Sequence, residues 1–143
     1  MSNQPTRVSC WPRPVLERIT PPPGAILISV YDRSEEPLSA HPGWADVLKL
    51  RFHDTDGSQM GLEVFSSEHA AAVLQFLQRH PHCSEIFVHC AAGQSRSAAI
   101  AMFIGEAFGL PIYKQNLPLP SSYALYNRKV YRTLHEAFMD AQQ

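Results

Sequence analysis

The sequence predicts one α/β domain with a central, mostly parallel sheet flanked by helices, and three observations carry that expectation. Apolar runs at residues 25–30, 47–52 and 85–89 have the length and composition of strands in a core. Between and after them, at residues 66–79 and 97–108, the apolar spacing changes to that of helices. Alternation of the two is the signature of a parallel layer fold, whose ligands sit beyond the carboxyl ends of the strands. A chain of 143 residues suits one such domain and is short for two.

Taken in order, residues 1–6 are polar and expected to fray, and 8–11 read as a short edge strand stopped by Pro12 and Pro14. Pro21-Pro-Pro-Gly24 punctuates the chain before Ala25-Ile-Leu-Ile-Ser-Val30, a strand expected to be buried on both faces. Its exit is Tyr31-Asp32-Arg33. A connection rich in Pro, Gly and Ser leads to 47–52, read as a second core strand that exits into His53-Asp54-Thr55-Asp56-Gly57. Ser66 or Ser67 caps a helix whose Ala70, Val73, Leu74 and Leu77 share a face and which stops near Arg79, ahead of Pro81. The third core strand, 85–89, feeds a small-residue helix over 97–108, ended by Gly109 and Pro111. After a Pro-rich linker at 117–120, a final helical region starts at Ser121 or Ser122. It carries Tyr123, Tyr126, Val130, Leu134 and Phe138 as one stripe.

Composition narrows the function classes. The chain is 45% hydrophobic and 17% charged with a formal net charge of −1, so no charge field advertises nucleic acid, and no apolar run suggests a membrane span. The start Met1-Ser-Asn-Gln-Pro lacks the basic and apolar regions of a secretory signal, which gives a cytoplasmic expectation. Cys10, Cys83 and Cys90 cannot all pair, and a reducing compartment keeps them as thiols.

The chemistry concentrates in Ile86-Phe-Val-His89-Cys90-Ala91-Ala92-Gly93-Gln94-Ser95-Arg96-Ser97, which reads as a strand, a tight loop and a helix N-terminus. Such a turn aims backbone N–H groups at one spot while the helix dipole adds positive charge, an arrangement suited to an anion. Five residues separate Cys90 from Arg96. That span wraps a tetrahedral anion with sulfur below and a guanidinium fork across it. Cations and helix N-termini favour the thiolate form of a cysteine. Attack on a phosphate monoester then gives a phosphocysteine that water hydrolyses, and the leaving oxygen needs a proton. If the strands are parallel, the exits at Asp32, at Asp54 and Asp56, and at the Cys90 loop converge on one edge.

The His89-Cys90-x5-Arg96-Ser97 pattern, with Gly93 inside it, resembles the signature of the cysteine-dependent protein tyrosine phosphatases. The short chain is similar to their compact dual-specificity-like members, including small bacterial ones, from about residue 25 to the final helix. The resemblance implies a phosphatase-like fold, Cys90 as nucleophile, and Arg96 as clamp and transition-state stabiliser. Ser97 would aid the departing thiolate, and His89 would orient the loop. Ala91, Ala92, Gly93, Gln94 and Ser95 would cradle phosphate, with Gly93 permitting close approach. It further implies an Asp general acid after a sheet strand ahead of the signature. Asp54 fits best, Asp56 is the alternative, and neither stands in the Trp-Pro-Asp wording of the larger tyrosine-specific enzymes. No cofactor or metal is expected. The expected substrate is a phosphorylated protein or peptide.

Plainer readings stand beside these. Cys90 as a structural thiol competes with the nucleophile, and Asp54 and Asp56 as turn-formers with Gly57 compete with the acid. Asp32 is either a solvated strand exit or a supporting group. Cys10 and Cys83 read as packing residues. His80, His82, Cys83, His89 and Cys90 lack the paired spacing of a structural zinc site. Two functional rivals remain: a silent phospho-binding module that lacks a working acid, and a phosphatase for phosphoinositides or RNA 5′-phosphates. Ala91, Ala92 and Gln94 are neutral where extra phosphates would call for cations.

Overall fold

The computed structural model describes residues 4–143. Six strands form its sheet: β1 (Val8–Pro12), β2 (Ile26–Tyr31), β3 (Asp46–Arg51), β4 (Ile86–Cys90), β5 (Ile112–Lys114) and β6 (Leu117–Pro118). Their order is β3-β2-β4-β1-β5-β6, with every neighbouring pair parallel except β5 and β6. The helices are α1 (Arg13–Leu16), α2 (Ser67–Arg79), α3 (Arg96–Phe108) and α4 (Arg128–Ala141). The expected α/β domain with a mostly parallel sheet is therefore present. Because β1 to β4 run the same way, their carboxyl ends share one edge.

Alternation along the strands makes two cores. Val8, Cys10, Ile26, Ile28, Val30, Ile86, Val88 and Cys90 pack with Val73 and Phe76 of α2, Ile100 and Phe103 of α3, and Val130 and Leu134 of α4. On the other face Trp11, Leu27 and Phe87 pack with Leu16 of α1 and with Leu38 and Trp44 from the β2–β3 connection. Ser66 caps α2, its hydroxyl accepting the His69 N–H while the His69 side chain returns to the Ser66 backbone. Gly109 ends α3 in the left-handed conformation.

Four expectations are corrected. Residues 8–12 are not an edge strand, because β1 lies between β4 and β5 and its Val8 and Cys10 are fully buried. Pro12 does end it, but at the last position, where a missing N–H costs no interior ladder bond. Conversely, the strand near 47–52 is not a core strand: β3 is the sheet edge, and among its residues only Leu50 is buried. Lys49 and Arg51 on it are exposed, as suits an edge that must not pair further. The 117–120 linker contains β6, which forms an antiparallel pair with β5. The last helix begins at Arg128, with Asn127 as its cap. Tyr123 and Tyr126 precede it, in a segment that turns where the Tyr123 N–H meets Pro120 O at 3.0 Å. The fraying expected of 1–6 falls partly on residues 1–3, which lie outside the described residues. Thr6 itself is tied to Ser84 O through its N–H at 3.0 Å.

Candidate active site

β4 delivers His89 and Cys90 to the carboxyl edge of the sheet, residues 91–95 turn, and α3 starts at Arg96. Gly93 is what lets the turn close. It has φ of +69°, and a Cβ on it would lie 2.4 Å from Pro12 N and 2.5 Å from the Trp11 carbonyl carbon. The loop therefore folds back onto the end of β1, where the Arg13 N–H also donates to Ala91 O at 3.2 Å. The first strand thus supplies a wall of the site, a fourth exit that the sequence reading did not include.

Cys90 Sγ is buried and lies 3.0 Å from Ser97 Oγ, and the Gly93 N–H donates to it at 3.2 Å. Both are placed to donate to a thiolate at this position. His89 is buried directly opposite Ser29 in the β2–β4 register, with its Nε2 2.7 Å from Ser29 Oγ. Burial pushes its pKa down to about 4, against a smaller upward pull from the Cys90 backbone, so the ring is neutral at pH 7. Neutral His89 anchors the loop's entry without adding charge.

Arg96 is 5% exposed, and its guanidinium is held on several sides. Nη1 donates to Phe52 O at 3.0 Å and lies 3.7 Å from Asp32 Oδ2, while Nη2 lies 3.6 Å from Glu35 Oε1. Burial opposes the charge on Asp32. Hydrogen bonds from Ser34, with the Arg96 and His53 charges behind them, nevertheless hold its carboxyl below the usual carboxylate range. Asp32 thus lies beside the Arg96 guanidinium and helps to hold it in place. Glu35, which the sequence reading passed over, shares that task and also accepts the Asp32 N–H at 3.0 Å.

The two aspartates separate. Asp54 Oδ1 accepts Ser95 Oγ–H at 2.7 Å and Asn127 Nδ2–H at 2.8 Å, so its carboxyl is bonded directly to the 91–95 loop. Asp56 accepts the Ser58 N–H at 2.8 Å and closes its own turn, and hydrogen bonds from Ser58 hold its carboxyl below the usual range. A cleft of about 340 Å³ is lined by both aspartates, with Thr55, Ser95 and Arg128 also on its walls. On another side the Tyr123 hydroxyl donates to Gln94 O. Burial raises the pKa of Tyr123.

The strand exits at residues 31–35 and 52–54 and the loop at 90–96 thus meet at one place. Ala91, Ala92 and Gln94 are exposed there, whereas Gly93 is buried. Cys10 and Cys83 are free and buried. Among the described residues no three His, Cys, Asp or Glu side chains are placed to share a metal ion, and no helix is long and apolar enough to cross a membrane. Sequence reasoning missed Glu35, Ser29 and the wall at Trp11 and Pro12, and of Asn127-Arg128, just beyond Tyr126, the sequence says only that they are either surface or close to the site. For Asn127 a local signal existed, since Asn three residues ahead of Val130 is a helix-cap pattern. Comparison of the chain with protein-family models, with curated proteins and with solved structures finds no match, so any reading of this site rests on its own geometry.

Proposed function

We propose that the protein is a phosphomonoesterase that hydrolyses phosphotyrosine, and phosphoserine or phosphothreonine where they reach the sulfur, through a phosphocysteine. The observation that carries this reading is one constellation. A buried cysteine sulfur is hydrogen-bonded by Ser97 and the Gly93 N–H, Arg96 stands five residues on, and Asp54 is bonded to the intervening loop.

In the first step Cys90 sulfur attacks phosphorus, the bond to the ester oxygen breaks, and Asp54 gives that oxygen its proton. Arg96 and the loop N–H groups neutralise charge on the equatorial oxygens. In the second step Asp54 takes a proton from water, the water oxygen bonds to phosphorus, and the sulfur leaves as thiolate with the Ser97 hydroxyl donating to it. Asp32 and Glu35 keep the guanidinium in position from behind. Ala91, Ala92 and Gln94 are neutral, and two carboxylates already flank Arg96, which favours one phosphate over a polyanion.

The test is hydrolysis of p-nitrophenyl phosphate in the presence of EDTA. Turnover is expected in wild type and absent in Cys90→Ser, with inorganic phosphate still bound by the variant. Unchanged turnover in Cys90→Ser overturns the mechanism. Phosphate binding without turnover in wild type instead identifies a silent binding module.

A further inference from the structure

We propose that Asn127 is the positioning residue for the general acid: it ties Asp54 to the phosphate-binding loop and so determines that Asp54, not Asp56, delivers the proton. The proposal rests on the phosphomonoesterase reading above.

Asn127 is 8% exposed, and each of its hydrogen-bonding groups other than its carbonyl is committed across a different boundary. Its backbone N–H donates to Ser95 O at 3.1 Å, which joins it to the loop between Cys90 and Arg96. Its Oδ1 accepts the Val130 N–H at 3.0 Å and caps α4. Its Nδ2 donates to Asp54 Oδ1 at 2.8 Å and to Thr55 O at 3.2 Å. Capping uses only the second of these. Serine, threonine or aspartate would serve a helix N-terminus comparably, but aspartate has no donor, and serine or threonine has a single short hydroxyl in place of a carbonyl and two N–H groups. The amide donors are in excess of what the helix needs, and both go to the loop that bears the acid.

The geometry at Asp54 shows what the tie accomplishes. Ser95 and Asn127 both donate to Oδ1, and Oδ2 accepts from no described residue. One oxygen is fixed and the other is left to carry a proton. Residues 56–62 beyond it are exposed, so this carboxyl has little packing of its own to orient it. Asp56 has no bond to the phosphate loop and is engaged by Ser58. Near-attack geometry is worth several powers of ten, and here it depends on a side chain more than seventy positions away in the chain.

Asn127→Ser keeps a cap acceptor and replaces the amide's two N–H donors by one hydroxyl on a shorter side chain, so the bonds to Asp54 and Thr55 are lost while the melting temperature is expected to stay close to that of wild type. Its effect should depend on the leaving group. Turnover of p-nitrophenyl phosphate, which needs little protonation, should fall less than about threefold, and that of phenyl phosphate roughly 10- to 100-fold, a part of what a general acid supplies. In an Asp54→Asn background the same substitution should cost less than about twofold on phenyl phosphate, because the two residues act through one interaction. Equal losses on both substrates, or the full loss persisting in Asp54→Asn, overturn the proposal. If Asn127→Ser does not fold, Asn127→Thr, which caps with a hydroxyl and fills more of the space, is read by the same criteria. Loss of turnover in Cys90→Ser together with a failed Asn127 result rejects this inference and leaves the phosphomonoesterase reading in place.

Discussion

The two loops that meet at the site are held by opposite means. Residues 91–95 are locked by their own backbone and by what lies beneath them. Gly93 is pressed against Pro12, Cys90 Sγ is bonded to Gly93 and Ser97, and His89 is pinned to Ser29 inside the sheet. The aspartate loop lies largely in solvent from 56 to 62, with Met60 98% exposed, and reaches the site through bonds to Ser95 and Asn127. On the proposed function, a nucleophile and an anion clamp tolerate no drift, and Cys90 and Arg96 are accordingly buried. A proton donor needs only one carboxyl in place, and side chains borrowed from other segments hold it there.

That contrast breaks first at Gly93. Gly93→Ala sets a methyl at 2.4 Å from backbone nitrogen at a φ of +69°, so the loop must move. Turnover is expected to fall at least about 10²-fold on every phosphate ester, whatever its leaving group, since displacement of about 1 Å at reacting atoms has that scale. Near-normal activity in this variant, measured with p-nitrophenyl and phenyl phosphates, would show that the loop is not rigid in the way described.

The aspartate loop should respond selectively. Asp54→Asn is expected to lower phenyl phosphate turnover by about 10²- to 10⁴-fold and to spare substrates with good leaving groups, the range typical of a lost general acid. Asp56→Asn should leave both within about twofold, in line with a surface substitution. Reversal of the two results would assign the acid to Asp56 and remove the distinction drawn from Ser58 and Asn127.

The smallest effect sharpens the description of the loop's foundation. His89 has a pKa of about 4 in the fold against 6.5 ordinarily. Above pH 6.5 it is neutral whether the chain is folded or not, and its environment costs nothing. As pH falls from 6.5 towards 4 the unfolded chain takes up a proton that the native ring refuses, so stability is lost, on the order of 3 kcal/mol across that window. Urea melts at pH 7, 5 and 4 should show that loss in wild type and a shallower one in His89→Gln. Parallel slopes would mean that His89 is not buried as a neutral ring.

How far the sequence went follows from distance along the chain. The strand, loop and helix from Ile86 to Phe108 are continuous, so periodicity, a glycine and a cysteine–arginine spacing on adjacent positions were enough to read them. Asp54 was legible as a strand exit and was favoured over Asp56 on position alone, but the bonds from Ser95 and Asn127 that set the two carboxyls apart were not, because those partners are remote in the chain. The swap of edge and interior between β1 and β3 has the same origin. Val8 is buried by Ile86 on one side and Ile112 on the other, and no local pattern in residues 8–12 announces either partner. At β3 the alternation of Leu48 and Leu50 with Lys49 and Arg51 already described a half-exposed strand, and its reading as core overvalued the leucines. The late start of α4 was the competing claim of Asn127 as a cap over Ser121 and Ser122, all three of them good capping residues.

The position of β1 also sets a timetable for folding. It is the first strand along the chain, yet its neighbours in the sheet are β4 and β5, so its pairing closes very long loops and belongs to the slow, non-local part of assembly. Until it docks, Gly93 has no Trp11–Pro12 wall to lie against and the cysteine's loop has no fixed shape. On the proposed function, affinity for phosphate should then be the last property a refolding chain acquires, and a partly folded chain would carry Cys90 without the loop that gives it a role.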